Sequence, residues 1–220
     1  MSRGESTREA ILQSGVEGAY RVGLGGLTIG DLATATGMSK SGLYAHFRSK
    51  EALQLAVLAQ AREEFTAAVI RPALAAPRGE PRLRELFEGW VRCGLDRQAG
   101  GCLFVKASTE LDEQDGPVRD QLVRDHRDLY ETIATVVRGG ISAGHFRADV
   151  DPVQFAADLD GVMLAFYHWY RLLDDDRAPA RARHAFEELL RAAHDSTQPA
   201  AAPRDTQRRT ARRETPLRNL

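Results

Sequence analysis

The chain of 220 residues is 43% hydrophobic and 28% charged, which groups it with ordinary globular proteins and excludes a wholly disordered one. Its formal net charge of -1 excludes attraction to nucleic acid through overall charge, so any such binding needs a local basic surface. No apolar run approaches the roughly 20 residues of a membrane-spanning helix, and the start MSRGESTREAILQSG lacks the apolar core of a secretory signal, so a cytoplasmic location without membrane contact is expected.

A first helix is expected over residues 6–22, with Ile11, Leu12, Val16, Ala19 and Val22 near one side. Gly15 and Gly18 weaken it by about 1 kcal/mol each relative to alanine, either to allow a close helix contact or through drift. Gly23, Gly25 and Gly26 then lead into the stretch TIGDLATATGMSKSGLYAHFRSK, residues 28–50. Thr28, Ser39 and Ser49 are N-cap residue types, each preceding a short apolar pattern. Gly37 stands where the chain reverses within a few residues, as helix-turn-helix units require. No acidic residue occurs between Asp31 and Glu51. A helix of that composition suits an anionic duplex.

The order Gly-x-Ser-x-x-x-Leu-Tyr-x-His-Phe-x-x-Lys, from Gly37 to Lys50, resembles the DNA-binding segment of the tetracycline-repressor (TetR) family of bacterial regulators. Thr28, Ile29, Ala33, Glu51 and Leu53 extend the match. The resemblance covers about the first quarter of the chain and implies a helix-turn-helix head, a larger effector-binding body and a homodimer.

Beyond the motif, residues 50–70 repeat an apolar residue every fourth position, from Leu53 through Val57, Ala61 and Phe65 to Val69. Pro72, Pro77 and Pro81 mark a break. Further helices are expected over 83–95 (stopped by Gly100-Gly101), over 102–110, from Gly116-Pro117 to Gly144 with a bend at Gly139-Gly140, over 151–173, and over 180–194. No useful run alternates with strand period, so the fold is expected to be all-α, with about nine helices. Domains are placed at 1–50 (helix-turn-helix, motif 28–47), 51–195 (effector binding and dimerisation) and 196–220. That last segment carries six arginines against Asp205 and Glu214. It reads as a solvated basic tail, with an auxiliary phosphate contact as the sharper alternative.

Each candidate site residue has a chemical reason. Thr28 and Lys50 begin helices, where a hydroxyl, free N–H groups or an ammonium can hold a DNA phosphate. Ser39, Lys40, Ser41 and Gly42 open the recognition helix; Lys40 can reach guanine, and Gly42 permits close approach. Tyr44 and His46 are backbone contacts by resemblance. One recognition helix reads few base pairs, so a two-fold operator and a dimer are expected. The resemblance puts that dimer on the last two helices, 151–173 and 180–194, and implies a small-molecule pocket. Candidate apolar lining is Trp90, Cys102, Phe104, Phe155, Met163 and Phe166, with Tyr167 and Trp169. Glu110, His126 and His168 are candidate polar groups. Such aromatics also suit a plain core. Cys93 and Cys102 read as small apolar fillers, with a redox pair as the alternative.

No metal-ligand spacing, nucleophile elbow, P-loop or dinucleotide fingerprint occurs, so neither a cofactor nor enzymatic activity is expected. The expected function is a ligand-responsive regulator, a repressor released from duplex DNA by a small effector. A helical-bundle enzyme and a ligand-independent DNA-binding protein are the alternatives.

Overall fold

The computed structural model describes residues 3–96 and 101–194, and among these the chain forms nine helices and no strand. The all-α expectation holds. Gly100 and the basic segment 196–220 lie outside the described residues.

Helix α1 spans Arg3–Val22, α2 spans Ile29–Thr36 and α3 spans Lys40–Phe47. The caps are those the sequence offers. Thr28 is extended, and its hydroxyl accepts from the Asp31 N–H at 3.1 Å while donating to the Asp31 carboxylate at 2.6 Å. Gly37 adopts φ 66°, a left-handed conformation that a side chain would strain, and its N–H closes α2 onto Ala33 and Thr34. Ser39 caps α3 by accepting from the Gly42 N–H, and Ser49 caps the next helix by accepting from Ala52.

Helix α4 departs from expectation. It begins as Lys50–Phe65 but continues through a π-helical turn, Thr66–Ile70, into Arg71–Ala75. Pro72 lacks an N–H, and its ring crowds the carbonyl four residues back. The wider turn just before it, where the Arg71 N–H reaches the Thr66 carbonyl, takes up that defect, so the helix runs on. The break falls instead at residues 76–79.

Helices α5 (Glu80–Leu95), α6 (Leu103–Leu111) and α7 (Pro117–Ser142) follow, the last unbroken through Gly139-Gly140. Helix α8 is Pro152–Tyr167 prolonged by a π-helical segment, His168–Leu172; α9 is Ala178–His194. The Asp151 carboxylate caps α8 by accepting from Val153 and Gln154.

Two apolar cores result. The first gathers Ile11 and Val16 of α1, Leu32 of α2, Leu43 and Phe47 of α3, and Leu53 and Val57 of α4. Gly15 lets α1 close on α4, since a Cβ there would stand 2.8 Å from a Val57 methyl. This core also takes in Leu103, Ala107 and Leu111 of α6 and Val118 and Leu122 of α7, so it reaches well beyond residue 50. The second core surrounds Phe87 and Trp90 of α5, Ile133 and Val137 of α7, Leu159 and Met163 of α8, and Phe186 of α9. Phe87 and Phe186 stack at 4.1 Å between ring centroids. Helix α4 belongs to both cores, through Leu53 to Ala61 at one end and Val69 to Ala73 at the other. Phe104 also packs against both.

Candidate DNA-binding surface and effector cavity

Helix α3 buries Leu43 and Phe47 and turns Lys40, Ser41 and Tyr44 outward; Gly42 and His46 are half-buried. The Lys40 side chain lies back over the start of α2. A Cβ added at Gly30 would be 3.5 Å from Lys40 Cε and 3.6 Å from the Thr28 hydroxyl. Thr28, Lys40 and the first N–H groups of α2 therefore share one small region of surface. The Thr28 hydroxyl and the helix N-terminal N–H groups are donors suited to a phosphate oxygen, and the long, exposed Lys40 side chain beside them can extend to a base edge. Among the described residues no helix is long and apolar enough to cross a membrane.

Lys50 is placed differently. Its ammonium donates to the Gly25 carbonyl at 2.7 Å, fastening the loop between α1 and α2. Only its remaining N–H groups are left for a phosphate. Gln54 donates to the Leu24 carbonyl in the same loop. Helix α6 approaches from the other side: Lys106 donates to the Tyr20 carbonyl at 2.6 Å, and Glu110 accepts from the Gly25 N–H at 2.9 Å. Glu110, a candidate pocket residue by sequence, thus holds the DNA-binding head to α6. Gly23 makes that fit possible. It has φ 85°, and a Cβ there would lie 1.8 Å from a Glu110 carboxylate oxygen. Gly23→Ala is expected to destabilise the protein by about 1–3 kcal/mol through strain and displacement of Glu110. Urea denaturation checks this, and an unchanged midpoint would show that the loop yields freely.

A cavity of about 210 Å³ opens between α4, α5, α6, α7 and α8. Phe65 stands edge-on to Trp90 (6.1 Å, 83°) and to Phe104 (6.3 Å, 62°), so three rings make one wall, widened by Ile70 and Leu129. Much of the remaining lining is polar. Arg62 Nη1 meets Asp125 Oδ1 at 2.8 Å, and Nη2 meets Asp128 at 2.6 Å. Gln121 also donates to Asp125 Oδ1, at 2.9 Å. The Asp125 side chain is only 3% exposed, yet its Oδ2 has no partner among the described residues. Burial pushes its carboxyl above the usual aspartate range. Asp160 accepts from the Tyr130 hydroxyl at 3.0 Å and is likewise raised by burial. Burial, with Asp160 beside it, pushes the Tyr130 phenol up to about 12. His126 stands edge-on to Phe104, with its Nε2 unpartnered among the described residues.

Of the pocket candidates read from sequence, Trp90, Cys102, Phe104 and His126 line this cavity. Phe155 and Met163 are buried in the second core. Phe166 stacks on Tyr170 at 5.6 Å, and Tyr167 packs beside Gly94 and Gly101. Trp169 is exposed beneath the Arg181 guanidinium at 4.8 Å, and His168 is also exposed. The sequence reading missed Arg62, Asp125 and Asp160. Asp125 nonetheless left a signal, a charge on the apolar stripe between Leu122 and Leu129. Cys93 and Cys102 are both free thiols. Burial pushes Cys93 up to about 12 and raises Cys102, the direction of inert thiols rather than reactive ones.

A capped helix-turn-helix head on a long helix, with a helical body behind it, defines the class of helix-turn-helix DNA-binding regulators. Residues 11–57 match the family described as bacterial regulatory proteins, tetR family, and residues 79–186 match the tetracyclin repressor-like C-terminal domain. The chain belongs to the TetR family of transcriptional regulators. No curated protein matches it.

Solved structures agree on the fold. A TetR-family regulator from Cytophaga hutchinsonii is 20% identical, with a TM-score of 0.78 over 88% of this chain and 98% of its own. One from Chloroflexus aurantiacus is 26% identical, with a TM-score of 0.74 over 86% and 95%. AibR, solved in complex with isovaleryl coenzyme A and operator DNA, is 19% identical, with a TM-score of 0.66 over 84% and 97%.

Proposed function

We propose that this protein is a ligand-responsive repressor that binds a palindromic operator as a homodimer and is released when a small molecule occupies the cavity. The carrying observation is a single helix, α6, that both lines the cavity through Phe104 and grips the DNA-binding head through Lys106 and Glu110. A ligand that binds two arrangements of α6 unequally shifts the head. Helix α4 gives a second path, because it runs from the head past the cavity wall. AibR supports the scheme as a protein of the same fold solved with both a small molecule and operator DNA.

Residues 1–50 serve as the DNA-binding head and 51–195 as the effector and dimer body. Thr28, Ser39, Lys40, Ser41, Gly42, Tyr44 and His46 meet DNA, with Lys50 positioning the loop beside them. Dimerisation through α8 and α9 is supported by the exposed apolar side chains of Val153, Leu164, Trp169 and Leu172. A shallow groove of small residues, including Ala157, Gly161, Ala165 and Ala185, runs between the same two helices. Two recognition helices related by a two-fold axis read an inverted repeat. This role requires no cofactor and no catalysis, and it places the protein in the cytoplasm on the nucleoid.

Selection of bound duplexes from random DNA, repeated with a metabolite mixture, tests the reading. A palindromic site lost on adding the mixture is the expected result; the absence of any sequence preference would overturn it. In the same assay Lys40→Ala is expected to relax base preference at one position per half-site. Lys50→Ala should weaken all sequences about equally, by roughly tenfold. Identical selection profiles for the two variants would contradict this division.

A further inference from the structure

We propose that the cavity between α4, α5, α6, α7 and α8 takes a small organic ammonium compound, with a ring-sized apolar body against Phe65, Trp90 and Phe104 and its charged nitrogen at Asp125. This rests on the reading of that cavity as the effector site.

Size comes first. A 150 Å³ apolar cavity admits benzene, so about 210 Å³ holds one ring and a short polar arm. Charge comes next. Three carboxylates, Asp125, Asp128 and Asp160, face one guanidinium, that of Arg62. Even a protonated His126 leaves one negative charge in excess. Arg62 is occupied at both ends by Asp125 and Asp128, so it offers little to an incoming anion.

Hydrogen bonding then selects the kind of cation. Among the described residues Asp125 Oδ2 is a buried acceptor without a donor, while Oδ1 already takes two. A buried carboxylate oxygen left unsatisfied is unfavourable, and an N–H carrying positive charge is its strongest complement. That favours a primary or secondary ammonium over a quaternary one, which has no N–H to give. Burial raises the pKa of both Asp125 and Asp160, and a cation placed beside them favours their charged forms.

The test uses the full chain and titration calorimetry with 2-phenylethylammonium, its neutral isostere 2-phenylethanol, and anionic phenylacetate. The ammonium is expected to bind roughly tenfold to a hundredfold more tightly than either. Asp125→Asn and Asp160→Asn should each reduce its affinity roughly tenfold or more, while Asp112→Asn, outside the cavity, leaves it unchanged. Because the amide introduced by Asp160→Asn keeps an acceptor for Tyr130, that variant remains informative if the change at 125 perturbs folding. Equal or tighter binding of the alcohol or the acid overturns the ammonium assignment while leaving a ligand in the cavity. Binding of none of the three also overturns it, and the effector reading then stands or falls separately, on release of DNA by the metabolite mixture.

Discussion

Leu43→Ala is expected to abolish DNA binding by unfolding the head, whereas Tyr44→Ala weakens it with the head intact. The two residues are neighbours on α3, yet Leu43 is 1% exposed and Tyr44 is 52% exposed. Removing a buried leucine side chain costs about 2–5 kcal/mol, a large part of the roughly 5–15 kcal/mol that holds a domain together. Leu43 belongs to the same core as Phe47, Leu32 and Leu53, so its loss loosens α2, α3 and the start of α4 together. Tyr44 touches solvent, and surface truncations change stability by about 0.5 kcal/mol or less. Its phenol is a hydrogen-bond donor on the face proposed to meet DNA, and its loss should weaken binding about tenfold. Urea denaturation followed by circular dichroism, with fluorescence anisotropy on a selected duplex, separates the cases. Equal denaturation midpoints for both variants would refute the inward and outward assignment of α3.

Phe186→Ala should be the most destabilising single change in the body, by about 3–5 kcal/mol. Phe186 is 2% exposed and stacks in parallel on Phe87, so its removal empties a space walled by α5 and α9 and leaves Phe87 without its partner ring. Ring pairs contribute about 0.5–1.5 kcal/mol beyond area burial. A double-mutant cycle with Phe87→Ala should therefore return a coupling of that order. Additive losses would mean that the two rings contribute only as separate apolar volumes. The ion pairs that also bridge α5 and α9, Arg84 with Glu187 and Arg183 with Glu88, are solvent-facing and cannot replace the rings.

How far the sequence could be read depended on the range of the interaction. The caps at Thr28, Ser39, Ser49 and Asp151, and the reversal at Gly37, are local chemistry, and each stands where its residue type pointed. Leu43 and Phe47, four residues apart, share one side of α3, and that side is the buried one. The helix count followed from apolar spacing punctuated by glycine and proline. The end of α4 was not legible, because proline usually interrupts a helix and nothing local announces the wider turn that absorbs it. Glu110 was misplaced for a different reason. Its partner is the Gly25 N–H in the loop after α1, far away in sequence, and a carboxylate gives no sign of which distant N–H it will meet. Aromatic residues on α8 looked alike in the sequence, yet Phe166 faces inward and Trp169 outward. Periodicity gives a face but not its neighbour.

The surplus turn in α4 also sets an angle. Apolar residues at every fourth position overshoot a full turn by about 40° each time, so from Leu53 to Ala73 a regular helix would carry its stripe about 200° around the axis. The one extra residue accommodated in Thr66–Ile70 takes back about 100° of that rotation. The faces serving the two cores then lie about a quarter turn apart instead of pointing in nearly opposite directions. Thr66–Ile70 is thus an indexing step. It fixes the azimuth at which the head leaves the body, and it does so at the wall of the cavity, where Phe65, Thr66 and Ile70 stand.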